Sequence, residues 1–211
     1  MKKCTIIVVA WLFLGSIHAQ QKIEKHIDFS GKESVSINLQ IADSINLHTW
    51  DNNEISVTGS VNINDNKDND AYITSFVESE NLVSINGSFK EDYFKGRNNS
   101  CCETDIYWEI YIPEKTDFTI ETINANITID GKTTAMKVKS ISGFIDLAIS
   151  QERQADIDFS TITGTIYSNL DLHPDERKSS IPTVIKEKLN NGGSPIRLET
   201  ISGDIFFRKS N

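Results

Sequence analysis

Apolar and polar residues alternate along almost the whole chain, and no stretch carries convincing helical periodicity. Val35, Ile37 and Leu39 alternate with Ser36 and Asn38, and Ile45 and Leu47 continue the pattern. Successive side chains of a strand point to opposite faces, so each run predicts a strand with one buried face. The turn-rich residues Trp50 to Glu54 precede a second alternating run through Ile55, Val57, Gly59, Val61 and Ile63. This reads as a hairpin, because Asp and Asn tolerate the positive φ that tight turns require. Residues 62–70 form a polar, acidic loop, Leu82 to Ile85 another strand, and residues 90–104 a long polar loop. Ile106, Trp108, Ile110 and Ile112 alternate cleanly until Pro113, which cannot donate to a ladder and ends the strand.

From there the chain repeats itself. Four ten-residue segments align without gaps: Phe118 to Ile127, Met136 to Ile145, Ile157 to Ile166 and Ile196 to Ile205. The shared pattern is apolar-x-apolar-x-[Ser/Thr]-Ile-[Ser/Thr/Asn]-[Gly/Ala]-x-Ile, with Ala125, Gly143, Gly164 and Gly203 at the turn. The turn positions are spaced by 18, 21 and 39 residues, and the last spacing implies a degenerate unit within residues 165–195. Such a period is the signature of a stacked repeat array. Ile196 and Leu198 point one way and Arg197 and Glu199 the other, but five residues separate Thr200 from Ile205, so the parity flips. The backbone must bend at that point, and glycine permits the bend or a close approach between neighbouring coils. The prediction is an all-β chain. A single-stranded β-helix or β-solenoid of strand–turn–strand coils occupies about residues 105–211, after a hairpin-rich N-terminal part at about 20–104. A β-sandwich with look-alike hairpins is the alternative. The charged stretch after Asp171, one irregular strand near Pro182 and the turn Asn190-Asn191-Gly192-Gly193 interrupt the array.

The first nineteen residues change where this fold is expected to reside. Lys2 and Lys3, an apolar run from Thr5 to Leu14, and the ending Ile17-His18-Ala19 match a secretory signal cleaved before Gln20. The run is too short for a spanning helix, which needs about 20 apolar residues, and no second long apolar stretch follows. The expectation is therefore a single exported domain over 20–211, periplasmic or extracellular, with no transmembrane segment. Loss of Lys2 and Lys3 takes the net charge from -9 to -11, because residues 1–19 contain no acid. That balance repels phosphate backbones and excludes nucleic acid as an expected partner.

Candidate chemistry is sparse. Cys101 and Cys102 are adjacent; a ring between them would be strained, and the C-x₂-C spacing of metal sites is missing. None of His26, His48 and His173 accompanies a G-x-S-x-G elbow. Asp146, Asp158 and Asp204 lie at different offsets from the turn glycine, so they need not form the facing carboxylates of a glycosidase. Asp65, Asp68 and Asp70 resemble half a calcium loop, but position six is Asp70 and position twelve Phe76, so the Gly and Glu of an EF-hand are missing. No catalytic residue, cofactor or metal is predicted. The outward stripe Tyr107-x-Glu109-x-Tyr111 is a candidate contact surface, while Trp108 shares parity with Ile106 and Ile110 and belongs to the core.

Residues 106–207 resemble the bacterial DUF4097 family, whose members are labelled putative adhesins. The strand ending in Pro113, the unit Thr122 to Ile127, Ser142 to Ile145, and the closing Asn191 to Ile196 with Ile201 to Ile205 carry the resemblance. Upstream, Trp50-Asp51 followed by Ile55 to Gly59 is similar to the family's N-terminal hairpin. The resemblance implies a β-helix-like fold and export, and brings no catalytic residues. Ala125 departs from the repeat's glycine, which points to a gentler bend or a cap at the first coil. The expected function is a non-enzymatic adhesin or cell-envelope binding module for an envelope protein or glycan. The alternatives are a structural or sensing component of a periplasmic complex and a carbohydrate-active enzyme. An exposed apolar or aromatic patch favours a binder; convergent charged groups in a groove favour an enzyme.

Overall fold

A computed structural model describes residues 20–95, 102–172 and 182–210. Residues 1–19, where a secretory signal is expected, Cys101, His173 and most of the charged stretch after Asp171 lie outside the described residues. The chain is all-β: among the described residues fifteen strands form one large mixed sheet that is not a closed barrel. In chain order they are β1 (Gln21–Asp28), β2 (Ser34–Leu39), β3 (Ile41–Trp50), β4 (Glu54–Ile63), β5 (Tyr72–Glu78), β6 (Leu82–Phe89), β7 (Thr104–Pro113) and β8 (Asp117–Asp130). There follow β9 (Met136–Ser142), β10 (Ile145–Ile149), β11 (Ala155–Thr161), β12 (Ile166–Ser168), β13 (Thr183–Leu189), β14 (Ser194–Ser202) and β15 (Ile205–Lys209). A single 3₁₀ turn, Asn69–Ala71, is the one helical element among the described residues.

The sheet has two limbs, and β8 belongs to both. Its first half pairs in parallel with β2 and β9, and its second half with β3 and β10. One limb runs β5-β6-β2-β8-β9-β14-β11-β13, the other β1-β4-β7-β3-β8-β10-β15-β12. Five segments therefore cross from limb to limb: β2–β3, β8, β9–β10, β14–β15 and β11–β12. Their inward rows meet between the limbs. Phe159 of β11 and Phe207 of β15 are fully buried with ring centroids 5.0 Å apart, edge to face. The parity expected of Val35, Ile37, Leu39, Ile45, Leu47 and Trp108 is the observed one, and all six are buried.

Two neighbour relations differ from the sequence expectation. The hairpin expected across Trp50 to Glu54 does not pair its own strands, because β7 lies between β3 and β4, parallel to the first and antiparallel to the second. The repeats do not stack in chain order either. β14 pairs with β9 on one side and β11 on the other, so the last unit sits between the second and the third. The described part of residues 165–195 supplies no degenerate coil: β13 pairs antiparallel with β11 and covers the end of one limb. Two strands went unpredicted, β1 and β5. In β1 charged residues hide the alternation, with only Ile27 buried. In β5, Ile73 and Val77 face outward and blur it.

Backbone bonds at the limb-to-limb bend follow the same order. Ile127 N–H donates to Phe144 O (2.9 Å), Ile145 N–H to Asp204 O (3.0 Å) and Ile205 N–H to Thr165 O (2.9 Å). The turn residues Ala125, Gly143, Gly203 and Gly164 thus form a column. A Cβ on Gly143 would fall on the carbonyl of Ala125, one on Gly203 on the carbonyl of Gly143, and one on Gly164 on the carbonyl of Gly203. Gly143 also has φ +94, a region L-residues rarely adopt. Ala125 can carry its methyl, which is buried at the start of the column. Inward hydroxyls satisfy the bend: Thr161 Oγ1 donates to Gly203 O (2.9 Å) and accepts from Gly164 N–H (3.0 Å).

Candidate interaction surface

Each unit carries an isoleucine directly after its inward Ser or Thr. Thr122, Ser140, Thr200 and Thr161 are buried, so strand alternation turns the next side chain outward. Strand register then aligns these side chains. Thr122 is level with Ser140, Ser140 with Thr200, and Thr200 with Thr161. The isoleucines consequently run Ile123, Ile141 and Ile201 across β8, β9 and β14, with Ile162 next in line directly after β11, at a rung spacing of about 4.8 Å. They are 46%, 47%, 45% and 43% exposed. Single exposed apolar residues are ordinary, but a contiguous row is a feature of interaction surfaces.

A groove of about 520 Å³ runs beside the row, lined by Ile141, Ile201 and Ile162 together with Thr200, Ser160 and Pro182. Its sheet side is a row of charges: Glu121, Lys139 and Glu199 are level with one another, and Lys139 Nζ lies 3.0 Å from Glu199. The hydrogen bond that Lys139 donates to Glu199 raises the Lys139 pKa. The surface is therefore an apolar ridge with a charged flank in which Lys139 pairs with Glu199. Parity alone marks Ile201 as outward once Ile196 and Leu198 are taken as inward; that signal was available in the repeat and passed over as part of its apolar pattern.

The stripe Tyr107, Glu109, Tyr111 faces outward as a group but divides in its contacts. Tyr107 is 46% exposed. Glu109 receives hydrogen bonds from Asn46 (3.1 Å) and the Tyr111 hydroxyl (3.3 Å), and lies 2.8 Å from His48 Nε2. His48 Nδ1 lies 2.8 Å from Asp130, and its ring stacks on Tyr111, with centroids 5.0 Å apart. Trp50 closes the cluster 5.3 Å from Tyr111. Burial first, and then the Glu109 charge, raise the Tyr111 pKa. These rings and carboxylates hold one another across β3, β7 and β8, and the arrangement reads as a cross-strand clasp.

The other candidates are dispersed. Asp146 pairs with Arg208 (2.7 Å), Asp158 with Lys186 (3.2 Å), and Asp204 accepts from Thr165 N–H (2.8 Å). Asp65 and Asp70 point to solvent beside Lys67 and Lys90, while Asp68 binds Asn64 and Tyr93. Cys102 Sγ lies 3.2 Å from the Tyr93 hydroxyl. Among the described residues no group of three His, Cys, Asp or Glu is placed to hold a metal ion. Among them, too, no helix is long and apolar enough to cross a membrane.

His26 on β1 supplies a pH prediction. Its Nδ1 lies 2.9 Å from Glu54, and that hydrogen bond is the main cause of a raised pKa. The stabilising contribution is present below the unfolded value of about 6.5 and is lost as pH rises through the folded value. Glu54→Gln is expected to move the His26 imidazole midpoint downward in an NMR titration. An unchanged midpoint would mean that the pair does not form.

No protein-family model and no curated protein matches the chain. Among solved structures, a putative cell adhesion protein from Clostridium sporogenes is similar at 15% identity with a TM-score of 0.60, over 91% of this chain and 100% of that one. At that identity the likeness shows the fold alone. A putative adhesin from Bacteroides fragilis (11% identity, TM-score 0.27, 92% and 99% covered) aligns much less closely. So does a putative lipid binding protein from Parabacteroides distasonis (10%, 0.28, 90% and 97%), and neither carries a structural argument.

Proposed function

We propose that this chain is an exported, non-enzymatic binding module of the adhesin type, built as a β-solenoid and akin to the DUF4097 proteins. The observation that carries this reading is the ridge of Ile123, Ile141, Ile201 and Ile162, which stays exposed although the same strands bury every other apolar row. The occupant of an apolar ridge is an apolar strip on a partner protein of the cell envelope; a glycan would call for upright hydroxyl and carboxylate partners. The adhesion-protein fold similarity and the signal-like N-terminus support the same reading.

The test is affinity capture from crosslinked cells with the tagged exported chain, comparing wild type with Ile141→Ser/Ile201→Ser. Both residues are solvent-facing, so thermal stability should change by less than ~1 kcal/mol. Loss of central anchors should weaken partner binding at least tenfold. A partner retained at full strength by the double variant removes the ridge from the function. Recovery of glycan alone favours a carbohydrate ligand, and a shortened glycan favours an enzyme.

A further inference from the structure

The two limbs end in four edge strands: β5 and β13 on one, β1 and β12 on the other. An open edge presents unpaired N–H and C=O groups, and chains ordinarily block it with charge, shortness or cover. Three of the four edges follow that rule. β1 carries Lys22, Glu24, Lys25, His26 and Asp28. β13 carries Lys186, Glu187 and Lys188, and β12 is only three residues long. β5 does not. Its sequence Tyr72-Ile73-Thr74-Ser75-Phe76-Val77-Glu78 holds one charge, at its last position.

β5 pairs with β6 on one side only, and among the described residues no backbone hydrogen bond from a loop reaches Ile73 to Val77. Its outward row leaves Ile73 49% and Val77 54% exposed. Its inward row is incompletely covered: Tyr72 is buried, but Phe76 is only partly so, against the edge of the core. One more strand beside β5 would satisfy the open backbone and finish the burial of Phe76.

We propose that this strand is β5 of a second copy, paired antiparallel about a twofold axis at Ser75. The strand's own pattern selects that occupant. With Ser75 opposite its mate, Ile73 of each copy faces Val77 of the other, and Thr74 faces Phe76. The single charge, Glu78, faces Tyr72, so no like charges meet within the strand pair. The limb continues across both protomers, and the pairing is isologous, as a twofold dimer requires. Seven paired residues bury less than the roughly 800 Å² per partner of a standard interface, so the dimer is expected to be weak and concentration-dependent.

Sedimentation of the chain from Gln20 onward, over a concentration series up to several hundred micromolar, should show a monomer–dimer equilibrium. Ser75→Lys places two cations on the axis and should weaken it at least tenfold, with circular dichroism unchanged. Register is tested in a Cys101→Ser/Cys102→Ser background under mild oxidation. Ser75→Cys should crosslink to itself, Val77→Cys should not, and a mixture of Ile73→Cys and Val77→Cys chains should. A monomer at every concentration overturns the proposal. So does a dimer indifferent to Ser75→Lys, equal crosslinking at 75 and 77, or occupation of β5 by a different protein.

Discussion

Replacing Gly203 by alanine should destabilise the protein by ~3 kcal/mol, the upper end of the usual cost of overpacking a rigid site. The added methyl falls on the carbonyl oxygen of Gly143, which is backbone and fixed by the pairing of β9 with β14. Neither partner can retreat without lengthening the bonds that join the units at the bend. For a domain of this size the loss corresponds to a fall in Tm of about 6–12 °C. Gly164→Ala should behave alike, since its methyl meets the Gly203 carbonyl. Gly31→Ala is the control. Gly31 has φ +75 but nothing within 4 Å of its would-be Cβ, so only the backbone term of about 1 kcal/mol applies. Equal losses at 31 and 203 in thermal or urea unfolding would mean that the turn residues do not stack.

The second large effect is expected at Phe159 and Phe207. Each is fully buried, and truncation to alanine should cost about 3–5 kcal/mol through lost burial and a residual cavity. The more telling quantity is their coupling. The two rings belong to different limbs and meet edge to face, so a double-mutant cycle should return ~0.5–1.5 kcal/mol beyond additivity. Additive losses would place the rings in separate environments and contradict the facing of the limbs.

Outside β1 and β5, strand existence and side-chain direction were legible in the sequence because alternation is a local property. Val35 to Leu39, Ile106 to Ile112 and the four repeat units could each be oriented from their own residues. Neighbour identity is a property of distant segments, and there the reading failed. Nothing near Trp50 to Glu54 announces that β7, some fifty residues later, parts the apparent hairpin. The spacing of the turn glycines likewise records the order of synthesis and not the order of stacking. The clasp around His48 shows the same limit: its carboxylate partners lie 61 and 82 positions downstream, at Glu109 and Asp130, and only pairing brings them together. The isoleucine ridge is the reverse case, since the outward direction of Ile123, Ile141, Ile162 and Ile201 follows from parity within each unit.

The placement of the last unit between two earlier ones also sets an order of events. As the chain emerges from its N-terminus, β9–β10 and β11–β12 appear first, yet no bond joins them directly in the finished fold. Each keeps an open, apolar-backed edge until β14–β15 arrives. The array therefore closes like a keystone arch, with stability withheld until β14 and β15 are in place. A nascent or truncated chain ending before Ser194 lacks the middle of its stack and not its end. It should accordingly be held open, available to chaperones and proteases, until β14 and β15 have been made.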